Sequence, residues 1–392
     1  MKTLLWICIV SLLAGGHPAG MLKDRKQVKT VESFRAAEAE RLFTLDYKAD
    51  YRLQDFIEAD LASREAVQGG VVSMLLSLPP AAGDSAGSPG RAEATAGIPG
   101  EAKDLLPWQP ACSAFQAVTP DGEVIYGRNF DYDFDDGSAI VMRTRPRGAF
   151  RSLSLVSMDH VGLSASALSD PRTDLSMLMA APYAMMDGMN EKGLAVSVLA
   201  LTGGDCACQY EEGKHAVMTT VLMRLLLDRA ATVDEALALC RQYNFFADGL
   251  QARLRIADRT NYHFLLSDAS GRTVVLEYVR DGGVKGKGPW VMKVLDERCV
   301  TNFYLAEGWQ EVIRPDGRYD ILRQAMSGKQ AVMTESEAMS LLQAVSQKAR
   351  RRGDVRTQWS VVYNLTRRTA MICPAGDFSR PVSVSLRTRD WL

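Results

Sequence analysis

The sequence predicts an α+β fold in which antiparallel sheets are covered by helices. Three features predict it. Short apolar strand candidates recur in hairpins closed by Thr119-Pro120-Asp121-Gly122 and Asp268-Ala269-Ser270-Gly271. Helix pairs alternate with these hairpins, and the second helix of each opens on Thr232-x-x-Glu235 or Thr334-x-x-Glu337, where hydroxyl and carboxylate each accept a backbone N–H of the other residue. The chain then closes with another hairpin and a last strand.

Taken in order, residues 1–16 read as a secretory signal. Lys2 gives a thin positive start, residues 4–13 an apolar run too short to span a bilayer comfortably, and Ala14-Gly15-Gly16 a small-residue cleavage site. The expectation is an exported protein with no integral membrane span once the signal is removed. Residues 21–79 have a mostly helical pattern around Leu42, Leu45, Tyr47, Leu53, Phe56 and Ile57. The following stretch, PPAAGDSAGSPGRAEATAGIPGEAKDLLP at residues 79–107, buries too little to hold a fixed shape. It sets a boundary just before Ala111-Cys112. Three parts result: a signal at 1–16, a helical propeptide with a Pro/Gly/Ala-rich linker at 17–111, and a main domain at 112–392.

In that main domain, strands are expected at 123–129, 138–144, 152–157 and 193–201. Helices follow at 216–229, with Val217, Val221, Leu222 and Leu225 at helical spacing, and at 233–243. A hairpin pairs 262–266 with 273–278, and a strand near 291–295 leads to 299–302. A helix at 319–326 precedes one starting after Thr334. The final hairpin pairs 359–365 with 370–373, before a strand at 382–386. No internal repeat is present.

Composition narrows the function. Apolar residues make up 47% of the chain and charged residues 24%, an ordinary globular balance. The formal net charge of −1 gives no reason to expect nucleic acid or an anionic membrane face as partner. Of seven cysteines, Cys8 leaves with the signal. Cys206-Ala207-Cys208 is too tight for an ordinary zinc pair and lacks a matching His/Cys motif, so no metal is expected. Cys240 falls on the apolar face of a helix, as a buried inert thiol. The run Arg350-Arg351-Arg352 suits a solvated loop. The Met-rich stretch 177–189 suits core packing, with an acyl pocket as the other reading.

Residues 111–134, ACSAFQAVTPDGEVIYGRNFDYDF, organise the rest. Folding this hairpin on its turn brings Cys112 back opposite Asn129, or opposite Phe130 if a bulge adds a residue. A cysteine thereby lies close to Arg128, Asn129 and Asp131. Cys-Ser followed by Gly-Arg-Asn-Phe-Asp, with Arg sixteen and Asp nineteen positions after the Cys, resembles the N-terminal-nucleophile cysteine amidases. That group includes choloylglycine (bile salt) hydrolases, penicillin V acylases, acid ceramidase, N-acylethanolamine acid amidase and the isopenicillin N acyltransferases. The GRNFDY wording is nearest the ceramidase and ethanolamide-amidase branch. The resemblance implies a four-layer αββα sandwich and cleavage between Ala111 and Cys112. As in that branch, the clipped N-terminal piece would stay bound.

A thiol needs a base to become a nucleophile. The chain offers four histidines: His17 in the signal region, His160 and His215 in loops, and His263 in an apolar strand as a core residue. A freed α-amine on Cys112 is another base, with a reference pKa of about 7.7–8.0. Arg128 would favour the thiolate and Asp131 would orient the amine. Further roles come from the resemblance. Asn302, in Cys299-Val300-Thr301-Asn302, matches the family's oxyanion donor. Ala200 stands where bile salt hydrolases carry an Asn whose backbone N–H is the second donor, so the backbone donor is kept and the side-chain contacts are lost. Arg318 falls where those enzymes carry an Arg that positions the catalytic groups.

The expected function is hydrolysis of the linear C–N bond of small N-acyl amides through a thioester on Cys112, with no cofactor. Bile-salt, penicillin V, N-acylethanolamine and N-acyl amino acid types all remain open as substrates. The alternatives are an acyltransferase passing the acyl group to an amine, a non-catalytic exported binding protein on the same scaffold, and a Cys-His hydrolase.

Overall fold

The computed structural model describes residues 22, 24–58, 111–134, 137–170, 172–202, 206–247, 260–312, 315–328 and 331–387. The expected signal, His17 and the 79–107 stretch lie outside them. The N-terminal part holds α1 (Arg25–Val31), β1 (Arg35–Ala36), β2 (Leu42–Tyr47) and α2 (Leu53–Glu58). From residue 113 come β3 (Ser113–Val118), β4 (Val124–Tyr132), β5 (Ala139–Thr144), β6 (Ser152–Ser157), β7 (Met185–Asn190) and β8 (Ala195–Thr202). Next are β9 (Ala216–Met218), α3 (Thr219–Arg229), α4 (Val233–Cys240), β10 (Asn244–Phe246), β11 (Thr260–Ser267), β12 (Thr273–Arg280), β13 (Trp290–Leu295) and β14 (Cys299–Val300). The chain closes with α5 (Gly317–Ala325), α6 (Glu335–Ala344), β15 (Arg356–Asn364), β16 (Thr369–Pro374) and β17 (Val382–Ser385).

Among the described residues these strands form a nine-stranded sheet, β1-β2-β5-β6-β7-β8-β11-β12-β13, and a six-stranded sheet, β14-β3-β4-β15-β16-β17. Period-two alternation sends Ala114 and Phe115 to opposite faces of β3. Ala114, Tyr126, Trp359 and Val361 meet Leu199 and Leu265 of the other sheet. Phe115, Ile125 and Val362 instead face Leu322, Ala338 and Leu342 of α5 and α6. On the far side of the nine-stranded sheet, Val196, Phe264 and Leu276 pack with Leu222 and Leu225 of α3 and Leu237 of α4. Helices, sheet, sheet and helices thus stack in the expected four layers. No described helix is long and apolar enough to cross a membrane.

The N-terminal part departs from its mostly helical expectation. Leu42–Tyr47 is a strand that runs parallel to β5, from Leu42 opposite Ala139 to Tyr47 opposite Thr144. Its partner lies almost a hundred residues away, and sheet pairing overrides local helix preference there. Leu45, Tyr47, Tyr51, Phe56 and Ile57 are buried in the core beneath α3. Tyr51 donates to Asp228 Oδ2 at 2.6 Å, while Arg224 Nε donates to Asp228 Oδ1 at 2.9 Å. The segment is therefore part of the core of the main domain.

Smaller differences follow the same logic. Residues 216–218 are a short strand, so the first helix of its pair starts at Thr219. The Met-rich stretch is a 3₁₀ helix, Leu175–Tyr183, followed by β7, and Met179, Met185 and Met189 are buried in the core. Arg350, Arg351 and Arg352 are exposed on a loop, as read.

Candidate active site

Cys112 stands just ahead of β3 and is 4% exposed. The pairing of Ser113 with Asn129 and Ala114 with Arg128 continues to set Cys112 against Phe130. This is the second of the two registers left open by the sequence. The extra residue is in the connection, a three-residue loop in which Gly122 N–H donates to Thr119 O at 2.9 Å and Thr119 N–H to Glu123 O at 2.7 Å. Gly122 has φ +82°, the left-handed conformation such a loop needs after its type I turn.

Alternation along β4 then divides the site between two layers. Arg128 and Phe130 turn with Cys112 toward the space between the sheets. Asn129 and Asp131 turn toward the α5/α6 side. Arg128 Nη2 donates to Cys112 Sγ at 3.2 Å and to Val198 O at 2.7 Å, and Nη1 donates to Asn129 O at 2.7 Å. Its Nε lies 3.9 Å from Asp187 Oδ2, with both side chains fully buried. Burial works against the charge of Arg128, but Cys112 and Asp187 outweigh it and hold the guanidinium above its ordinary pKa. The cysteine S–H lies 3.8 Å from Asp131 O.

The other face holds a second guanidinium. Arg318 Nη1 donates to Ala111 O and, at 3.0 Å, to Cys112 O. The same nitrogen is 3.6 Å from Asp131 Oδ2, and Nη2 donates to Asn302 Oδ1 at 3.4 Å. Arg318 is held in turn by Asp316, which caps α5 and accepts from Arg318 Nε at 2.7 Å. Asn302 Nδ2 donates to Ala200 O at 2.8 Å. The structure thus gathers Ala111, Cys112, Arg128, Asp131, Ala200, Asn302 and Arg318 around one peptide bond. Asn129 is apart from this group, since its Nδ2 donates to Leu342 O of α6 at 2.8 Å.

Asp131 is buried, accepting from Thr357 Oγ1 at 2.5 Å through Oδ1, while Oδ2 accepts no hydrogen bond. Burial pushes its carboxyl up to about 7, against the opposing pull of Arg318, Thr357 and Arg128. A carboxyl raised in the fold opposes folding when ionised. Its contribution is complete below about pH 4 and lost as pH rises through about 7. Asp131→Asn in the uncleaved chain should therefore flatten the fall in unfolding free energy between those limits, by about 2–4 kcal/mol at pH 8. Urea unfolding across pH reads this; an unchanged slope would contradict it.

The histidines take other places. His263 Nδ1 lies 3.1 Å from Glu277 Oε1, both fully buried in the nine-stranded sheet. His160 sits among aromatic rings, 6.1 Å from Phe130, 5.6 Å from Tyr132 and 5.1 Å from Phe134. His215 is exposed. Sequence reasoning did not single out Thr357, Asp187, Trp359 or Tyr363 as site residues. For Asp187 a signal existed: it is the one acid in the apolar run MLMAAPYAMMDGMN, and a buried charge needs partners. Thr357 gave none, because its role depends on the pairing of β15 with β4.

Residues 112–285 match the family model of linear amide C–N hydrolases, choloylglycine hydrolase family, and the match begins at Cys112. A penicillin V acylase of Pectobacterium atrosepticum is 33% identical over 96 residues, 24% of this chain. The matched part spans 25% of that protein's length. A mutant of the conjugated bile acid hydrolase from Clostridium perfringens aligns with a TM-score of 0.47 at 14% identity, over 70% of this chain and 92% of the other. The penicillin V acylase from Agrobacterium tumefaciens aligns with a TM-score of 0.44 at 18% identity, over 69% and 84%. The family-model match thus covers the region in which Cys112 and GRNFDY carry the resemblance.

Proposed function

From a chain whose residues 112–285 carry the sequence of the linear amide C–N hydrolases of the choloylglycine hydrolase family, we propose an exported precursor that cleaves itself between Ala111 and Cys112 and then hydrolyses small N-acyl amides. One observation carries this reading. The sulfur and the carbonyl oxygen of the 111–112 junction each have their own guanidinium: Arg128 Nη2 lies 3.2 Å from Cys112 Sγ, and Arg318 Nη1 donates to Ala111 O. A positive charge beside the sulfur favours the thiolate, and one on the carbonyl favours the tetrahedral oxyanion.

In maturation Cys112 Sγ gives up its proton and adds to the carbonyl carbon of Ala111, whose oxygen takes up negative charge against Arg318. The carbon–nitrogen bond then breaks, and the Cys112 nitrogen takes a proton and becomes the α-amine. Water hydrolyses the resulting thioester, freeing the Ala111 carboxylate and the thiol. Asp131 Oδ2, which accepts no hydrogen bond in the uncleaved chain, is an acceptor for the new amine.

In turnover the α-amine takes the Cys112 proton as Sγ adds to the substrate carbonyl. Having both groups on one residue costs little positional entropy. Asn302 Nδ2 exchanges its bond to Ala200 O for the substrate oxyanion, beside the backbone N–H of Ala200. The ammonium protonates the leaving nitrogen, the amine departs, and water releases the acid from the thioester. The β2–β5 pairing and the Tyr51–Asp228 hydrogen bond support a clipped N-terminal fragment that stays bound. The apolar run at residues 4–13 supports export.

Arg318→Leu should slow scission of the 111–112 bond by about 10²–10³-fold, the usual cost of losing one oxyanion donor. Intact mass over time after expression measures it. In the wild type, the fragment ending at Ala111 should co-elute with the piece beginning at Cys112, and an acyl-amide panel with a competing amine should yield free acid. Scission at the wild-type rate in the variant, or an unprocessed wild type, would contradict the reading.

A further inference from the structure

We propose that Asp187 is a positioning residue for the reaction above: its buried carboxylate, clamped from the opposite sheet by Trp359 and Tyr363, fixes the guanidinium of Arg128 against the Cys112 sulfur. Asp187 lies on β7 of the nine-stranded sheet, and Arg128, Trp359 and Tyr363 lie on β4 and β15 of the six-stranded one. Trp359 Nε1 donates to Asp187 Oδ2 at 2.9 Å and Tyr363 O–H to Oδ1 at 2.5 Å. Oδ2 faces Arg128 Nε at 3.9 Å, and that Nε has no hydrogen-bond partner of its own.

The guanidinium is otherwise held by two carbonyls, Asn129 O and Val198 O, and by the sulfur. All these acceptors lie at the Nη end. Among the described residues, Asp187 alone faces the Nε edge and sets the tilt of the planar fork. A carboxylate fully buried between two sheets is expensive unless it is paired. Here both of its oxygens take a neutral donor, which fixes their direction, and the arginine supplies the opposite charge. Dry surroundings make that attraction stronger than it would be in water. Nothing in the substrate-facing chemistry needs Asp187, because Arg128 stands between it and the sulfur.

The remaining titratable groups around this pair are Tyr126 on the same strand as Arg128, Tyr363 on the neighbouring strand, and Asp131 with Arg318 behind the sheet. Among the described residues none of these forms an ion pair with the Nε edge of Arg128. Two roles for Asp187 then predict opposite signs. If it acted only through its field, removing the anion would stabilise the Cys112 thiolate and speed its alkylation. If it positions Arg128, removing it lets the guanidinium tilt away and slows alkylation.

The test alkylates folded wild type, Asp187→Asn, Tyr363→Phe and Trp359→Phe with iodoacetamide at pH 7, and follows the Cys112 peptide by mass spectrometry. The proposal predicts about tenfold slower modification of Cys112 in Asp187→Asn and about threefold slower in Tyr363→Phe and Trp359→Phe, which keep the carboxylate but loosen it. With an amide substrate, kcat should fall in the same order while KM stays near wild type. Unchanged or faster alkylation in any folded variant of this set overturns the proposal. If Asp187→Asn does not fold, Tyr363→Phe and Trp359→Phe decide alone. A wild type without amidase activity would sink the functional reading, while the alkylation ratios would still decide the role of Asp187.

Discussion

Cys112→Ala is expected to leave the chain as a single piece across residues 111 and 112, and to reduce amide hydrolysis by about 10⁴-fold or more. Both effects come from one atom. Among the described residues the sulfur is the nucleophile held against Arg128, at 3.2 Å from Nη2, and its own carbonyl neighbour Ala111 O is already polarised by Arg318. The substitution should leave the fold in place, because the sulfur fills little volume at the mouth of β3 and Arg128 keeps Asn129 O and Val198 O. Circular dichroism and intact mass check the fold and the bond together. A cleaved alanine variant would show that another group cuts the chain.

Arg128→Met should be the most damaging change that leaves Cys112 in place. Methionine fills part of the space but abandons Asp187, whose carboxyl burial already pushes up to about 6 despite Arg128, Tyr363 and Trp359. Removing one partner of a buried ion pair costs about 3–5 kcal/mol. An acid raised in the fold opposes folding only when ionised, so the deficit should be greatest near pH 8 and shrink toward pH 5 as Asp187 takes a proton. Catalytic efficiency should fall by about 10²–10³-fold. Arg128→Lys keeps the charge, but its three N–H donors all leave one nitrogen and cannot span two carbonyls and a sulfur, so it should recover stability better than activity. Urea unfolding at the two pH values, with kcat/KM, reads all of this; wild-type stability of Arg128→Met at pH 8 would contradict it.

What could be read from the sequence, and what could not, follows from the range of each interaction. The β3–β4 hairpin is local: Thr119-Pro120-Asp121-Gly122 names its turn, and the short connection limits Cys112 to two partners. Capping boxes are local too, and Thr334 and Glu337 cap each other as written. By contrast, β2 pairs with β5 in parallel across a long connection, and no residue of Leu42–Tyr47 advertises that partner. The same holds inside the site. Arg128 and Asp131 were legible because they share a strand with fixed spacing from Cys112. Arg318 and Asn302 rested on resemblance, since only the stacking of α5 and β14 beside β3 brings them to Ala111. Asp187 crosses from one sheet to the other, a distance that no sequence spacing encodes.

In the proposed mechanism Cys112 combines nucleophile and proton acceptor only after its bond to Ala111 is broken. The most direct measurement follows freshly expressed chain over time, taking the fraction with a free Cys112 amine from intact mass and the rate of amide hydrolysis on the same samples. The rate is expected to be proportional to that fraction, with no turnover at zero. Full hydrolysis by chains in which Ala111 and Cys112 are still joined would contradict it.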